Sequence, residues 1–185
     1  SFEKAKWRKN TIVALNLECL TEKKSFWVLN YHMPCAFNDD VLMLIHTSSI
    51  SKFIDNILKN CRNCILCIDM NSQKDSHQYK YLTSGSNKII DELFRKQDSE
   101  WGMLYDPINT FKSCYKEVHG SEPEYTNYSF NSRANEVFKG TIDYIFLTKN
   151  IITNSIQRIE ETKKLLPNNE QPSDHVPLVC ELIIK

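Results

Sequence analysis

Cys64-Ile65-Leu66-Cys67-Ile68-Asp69-Met70-Asn71 is the stretch on which the fold turns. An apolar run with no polar alternation, closed by an aspartate and an asparagine, describes a β-strand buried on both faces. A strand with one wet face would alternate. Asp69 and Asn71 are two residues apart, so at the end of that strand their side chains leave on the same side. A carboxylate and an amide placed there can hold a metal or a water and orient a polar substrate. The same Asp-x-Asn-Ser string is also good turn chemistry.

Upstream, Thr11–Leu20 and Phe26–Tyr31 are apolar runs joined by Thr21-Glu22-Lys23-Lys24-Ser25, which predicts two strands and a charged turn. Pro34 stops the second run. Asn38-Asp39-Asp40 offers capping groups, and Ile50, Phe53, Ile54, Ile57 and Leu58 follow helical spacing, so residues 39–60 are expected to be helical. Downstream, Asp75 and Ser86 are candidate caps of two short helices, the second carrying Ile89, Ile90, Leu93 and Phe94. Trp101–Glu124 has poor periodicity and reads as loop. Tyr125–Phe130, Thr141–Leu147 and Pro177–Ile184 read as strands, the last a buried one, and Glu160–Ser173 as a mobile polar loop. Strands buried on both faces, mixed with helices, indicate a layered α/β architecture.

Asp143 lies inside Thr141-Ile142-Asp143-Tyr144-Ile145-Phe146-Leu147. A carboxylate in such a strand needs a strong partner, because burying it unpaired is costly. That partner is a backbone group or a histidine. Pro172-Ser173-Asp174-His175-Val176-Pro177 supplies an imidazole where a polar loop enters a strand. Asp143 bonded to one nitrogen of His175 would fix its tautomer and raise its basicity. His32 ends the Phe26–Tyr31 strand at another such junction. Together these junctions make a constellation on adjacent strand ends.

The motifs now carry a resemblance. Asn30-Tyr31-His32-Met33 resembles an Asn-Thr-His-Leu motif, and Cys67-Ile68-Asp69-Met70-Asn71-Ser72 a Gly-Asp-Phe-Asn-Ser motif. Thr141–Phe146 resembles Leu-Asp-Tyr-Ile-Phe, and Ser173–Pro177 resembles Ser-Asp-His-x-Pro. The four occur in the order found in the DNase-I-like endonuclease/exonuclease/phosphatase superfamily. Glu122-Pro123-Glu124-Tyr125-Thr126-Asn127-Tyr128 followed by Phe138-Lys139-Gly140-Thr141-Ile142-Asp143 resembles its deadenylase and nocturnin branch. The resemblance implies a four-layer α/β/β/α sandwich, with residues 1–185 as part of one such domain. It implies Mg²⁺-dependent phosphoester hydrolysis, Mn²⁺ being an alternative ion, with Asp69, Asn71 and His175 as metal ligands. His32, Asp69, Asn71, Asp143, Asp174 and His175 are the implied catalytic residues, and Asn127 and Phe130 the implied substrate contacts. Core packing is the competing role for Phe130. The implied substrate is RNA cut from its 3′ end. A nucleotide cofactor, abasic DNA, a phosphoinositide, or no turnover at all are the alternatives.

The family's early asparagine and metal-holding glutamate would precede His32 by more than the 31 residues found here. Glu18 sits in the strand just before, which is the wrong place. The chain therefore resembles the C-terminal half of the family domain, and an N-terminal half is expected to pack against it. Composition adds exclusions. Lys+Arg and Asp+Glu both total 23, so charge alone does not indicate a nucleic-acid partner. Hydrophobic residues are 41%, which excludes disorder of the whole chain, and no apolar run is long enough for a membrane span. Seven scattered cysteines read as reduced thiols, and hence as an intracellular, most simply cytoplasmic, protein. Cys64 and Cys67 would face opposite sides of their strand, so Cys61-x-x-Cys64-x-x-Cys67 cannot close a tetrahedral metal site.

Overall fold

Ile12–Glu18 (β1) and Ser25–His32 (β2) form an antiparallel hairpin, and Cys64–Asp69 (β3) lies parallel to β2. Asp143–Leu147 (β7) pairs antiparallel with β3, and Lys112–Ser113 (β4) closes the far edge, giving a five-stranded sheet in the order β1-β2-β3-β7-β4. These assignments come from a computed structural model that describes residues 2–59, 61–85, 104–132, 134–160 and 164–185. The helix anticipated after Ser86 lies outside the described residues.

One sheet face carries Leu29, Leu66, Tyr144 and Phe146, all buried. They pack against Asp40–Ile57 (α2) and His77–Ser84 (α3) in one core cluster. The Asp39 carboxylate caps α2 by accepting the Leu42 N–H at 3.0 Å. Ser76, not Asp75, caps α3. Its Oγ accepts the Tyr79 N–H at 3.1 Å, one residue later than the sequence suggested. Phe2–Lys6 (α1) is a further short helix.

The opposite face is covered over only part of its width. Ile65, Cys67, Ile145 and Leu147 pack beneath Cys114–His119 (α4) and the antiparallel pair of Ile151–Ile156 (β8) with Cys180–Ile184 (β9). Helix α4 falls in the stretch read as loop. Its signals are local ones that apolar periodicity misses: Ser113 caps it, and Gly120 ends it with φ +76°, which a side chain would resist. Strand β8 was not anticipated, nor was Glu136–Gly140 (β6), which pairs with Asn127–Asn131 (β5). Strand β9 is not the fully buried strand expected, since Val179 just before it and Ile183 within it are exposed. The polar 164–175 segment is held rather than loose: Leu166 is buried and its N–H donates to the Tyr128 carbonyl at 2.8 Å.

Candidate functional site

Strand register builds the site. His32 is the Cα partner of Asp69, and Asp69 of Asp143, so the three form one row across β2, β3 and β7. Neighbouring strands lie about 4.8 Å apart, which puts their side chains within reach of one another on one face. This is the face away from α2, at the end of the sheet where β2 and β3 finish. His32 Nε2 approaches Asp69 Oδ2 at 3.4 Å. Asp69 Oδ1 accepts the Asn71 N–H at 2.9 Å, and Asn71 Nδ2 donates to the Met33 carbonyl at 3.0 Å. Asn71 has φ +47°, a left-handed conformation that asparagine tolerates better than most residues. The turn reading of Asp-x-Asn therefore holds, and the same turn places both side chains at the strand end.

The loop at 172–176 brings the second histidine to this row. His175 Nδ1 donates to Asp143 Oδ2 at 2.8 Å. Ligand atoms of Asp69, Asp143 and His175 all lie within 4.8 Å of one another, and all three residues are half-buried. Burial, and then the charge of Asp143, push the Asp69 carboxyl above its usual range. The hydrogen bond to Asp143 pushes the His175 imidazole up, against the effect of its own burial. Asp69 and Asp143 face each other at a half-buried strand end, with carboxylate oxygens and the His175 ring gathered within ligand reach of one point. The donor set therefore fits a hard divalent ion.

Asn127 is 4% exposed, which fixes how its amide is used. Its Nδ2 donates to Asp174 Oδ2 at 3.2 Å and its Oδ1 accepts from Ser129 Oγ at 2.8 Å. Asn127 thus holds Asp174 beside His175. Phe130 is 52% exposed, so core packing is not its role. By strand alternation it lies on the face of β5 opposite Asn127 and Ser129. Glu18 stands at the other end of β1, opposite Ser25, about 20 Å along the strand from the His32 end, and pairs with Lys23.

Sequence reasoning missed Thr126. It is fully buried, and its Oγ1 accepts the N–H groups of Ile142 at 2.9 Å and Asp143 at 3.0 Å. A threonine before a strand carries no pattern that announces such a role.

The raised His175 pKa sets a pH dependence for chelator-treated protein. Its folded pKa lies above the ordinary 6.5. The stability it contributes is complete below that value and is lost as pH rises through the folded pKa. Half-buried His46 is shifted down by desolvation and acts in the opposite sense at low pH, so the comparison must be with a variant. The urea midpoint difference between wild type and His175→Gln is expected to shrink between pH 6 and pH 8.5. A difference that is constant or grows would show that the Asp143 bond does not set the His175 pKa.

The fold is the DNase-I-like one, and the chain is similar in sequence and structure to members of the endonuclease/exonuclease/phosphatase superfamily on its deadenylase side. No family model matches the chain. The 2′,5′-phosphodiesterase 12 of Mus musculus is 33% identical over 126 residues, covering 64% of this chain and 19% of that protein. The CCR4-Not complex 3′-5′-exoribonuclease subunit Ccr4 of Schizosaccharomyces pombe is 30% identical over 129 residues, covering 65% and 18%. The human nocturnin catalytic domain superposes with a TM-score of 0.68 at 21% identity, covering 96% of this chain and 54% of that domain. The chain thus spans about a fifth of the length of these two curated relatives. No described helix is long and apolar enough to cross a membrane.

Proposed function

We propose that this chain carries the water-activating and phosphate-binding part of a divalent-metal-dependent phosphodiesterase that shortens RNA from its 3′ end. The observation that supports this most is the row His32–Asp69–Asp143 with His175 hydrogen-bonded to Asp143 at 2.8 Å. Relatives named as a phosphodiesterase and as a 3′-5′-exoribonuclease point to the substrate class.

In this reading Asp69 orients the attacking water and accepts its proton, which a carboxyl with a raised pKa does more readily. Asn71 orients that water or a phosphate oxygen. His175, held by Asp143 and inclined to its protonated form, donates from Nε2 to the phosphate as charge builds on it. His32 contacts the phosphate, and Asp174, fixed by Asn127, supports the leaving-group side. Asn127 reaches the substrate only through that support, and Phe130 offers an exposed ring to a base. Asp69 and Asn71 would hold Mg²⁺ or Mn²⁺. His175 joins them only when neutral, through its Nε2, and the Asp143 bond favours its phosphate role. When bound, the ion neutralises phosphoryl oxygens. The segment is intracellular in this reading, and an N-terminal partner half completes the domain.

The test is hydrolysis by the full-length protein of a 3′-poly(A) RNA, the same RNA with a blocked 3′ end, and a phosphoinositide. Stepwise shortening of the first alone, abolished by EDTA and restored by Mg²⁺, is the expected result. Equal cleavage of the blocked RNA would overturn the exonuclease reading. Turnover undiminished by EDTA would overturn the metal reading.

A further inference from the structure

We propose that Thr126 is the positioning residue of the Asp143–His175 pair, an inference that rests on the phosphoesterase reading of the same site. Thr126 accepts three hydrogen bonds, besides the one its N–H donates to the Gly140 carbonyl at 3.0 Å. Its hydroxyl oxygen accepts the N–H groups of Ile142 at 2.9 Å and Asp143 at 3.0 Å. Its carbonyl accepts the Val176 N–H at 2.8 Å. Asp143 is the first residue of β7, where ladder bonding to β3 begins. The Ile142 carbonyl accepts the Met70 N–H, next to Asp69. Val176 follows His175 directly. One fully buried residue therefore ties the backbone that carries the aspartate to the backbone that carries the histidine.

The chemistry requires such a tie. Asp143 and His175 are 32 residues apart, and the histidine arrives on a loop rather than on a strand of the five-stranded sheet. A hydrogen bond of 2.8 Å between them persists only if both backbones are fixed against each other. The β3–β7 ladder fixes Asp143 on one side only. Thr126 adds the bond from the other side and reaches the loop as well. The next residue extends the arrangement, since Asn127 bridges to His175 and holds Asp174 at 3.2 Å. Thr126 touches no reacting atom in this scheme. It acts through the pair it aligns.

Valine matches threonine in shape and lacks the acceptor, whereas serine keeps the acceptor and loses only a methyl. In the full-length protein Thr126→Val is expected to lower kcat on the order of 10²-fold with KM changed little, as misplacement of a catalytic group does. Thr126→Ser should restore most of it. An independent readout needs no turnover. The His175 Nδ1–H that donates to Asp143 should give a downfield proton resonance, lost in Thr126→Val and kept in Thr126→Ser, while the Ile142 and Asp143 amides exchange faster in the valine variant. If Thr126→Val does not fold, Thr126→Cys, of similar size and with a weak acceptor, takes its place with the same expectations. A valine or cysteine variant that keeps both kcat and the His175 resonance overturns the proposal, as does a serine variant that loses both. Wild-type protein without hydrolysis would defeat the phosphoesterase reading alone, because the resonance and exchange measurements still decide the role of Thr126.

Discussion

Asp69→Asn is expected to cut turnover by roughly 10²–10⁴-fold, the range for loss of a general base, while the fold becomes no less stable. The two effects have one cause. Asparagine is nearly isosteric, and its Oδ1 can still accept the Asn71 N–H that Asp69 Oδ1 accepts at 2.9 Å. What is lost is the charge and the basic oxygen. In the folded chain that charge is unfavourable: burial, then the facing Asp143, push the Asp69 carboxyl up. A carboxyl with a raised folded pKa binds its proton more tightly folded than unfolded. Stability therefore falls as pH rises from the ordinary carboxyl range through the folded pKa. At neutral pH in chelator the uncharged amide removes that penalty. Strain kept at a functional site and relieved by an inactivating substitution is the expected pattern. The measurements are kcat on an RNA 3′ end and the urea midpoint with EDTA. Near-wild-type turnover would falsify the assigned role. A lowered midpoint would show instead that the Asp69 charge is compensated by His32 and His175.

Asp69, Asp143 and His175 were legible because the cost of burying charge is a strong local signal. A carboxylate inside Thr141–Leu147 demands a partner, and few imidazoles are available. Cys64–Asp69 was legible for the same reason in reverse, since nothing polar interrupts it. What periodicity cannot see is bonding through backbone groups. Thr126 and Ser76 matter through single oxygens, and Asp75 was an equally good cap on paper. The six-residue helix Cys114–His119 is too short for its apolar spacing to register, although Ser113 and Gly120 mark both its ends. The β8–β9 pairing depends on a partner distant in sequence, which the alternation of one strand does not name, and β6 closes a hairpin with β5 although its own residues are mostly exposed and weakly patterned. Burial on each face failed in a related way. Leu66 and Ile145 are buried, as strands of that composition suggest, but Val179 is half-exposed and the most open strand is β1. Composition states that a face must be covered, not what covers it.

The 185-residue chain on its own is expected to self-associate through the uncovered part of its sheet. Val13, Leu15 and Leu17 on β1 are 55%, 52% and 42% exposed. Register puts them on the face of Val28, Ile65 and Ile145, not on the face packed by α2. That face is roofed over β3 and β7 by α4, β8 and β9, and among the described residues nothing covers it toward β1. Fully burying a valine or leucine side chain is worth about 1.5–3 kcal/mol, so covering three that are half-exposed gains a few kcal/mol. Strand β1 is also an edge, with backbone groups free to pair with another strand, so a second copy finds both an apolar face and a hydrogen-bonding template. Charged side chains blunt such an edge. Leu15→Lys, at the centre of the strip and facing Val28, is expected to shift the chain toward monomer without loss of its folded core. Light scattering across a concentration series compares the two. Wild type should gain mass with concentration and the lysine variant should not. A wild-type chain that stays monomeric across the series, with a cooperative urea transition, would mean that the open face tolerates water and that the roof of α4, β8 and β9 suffices.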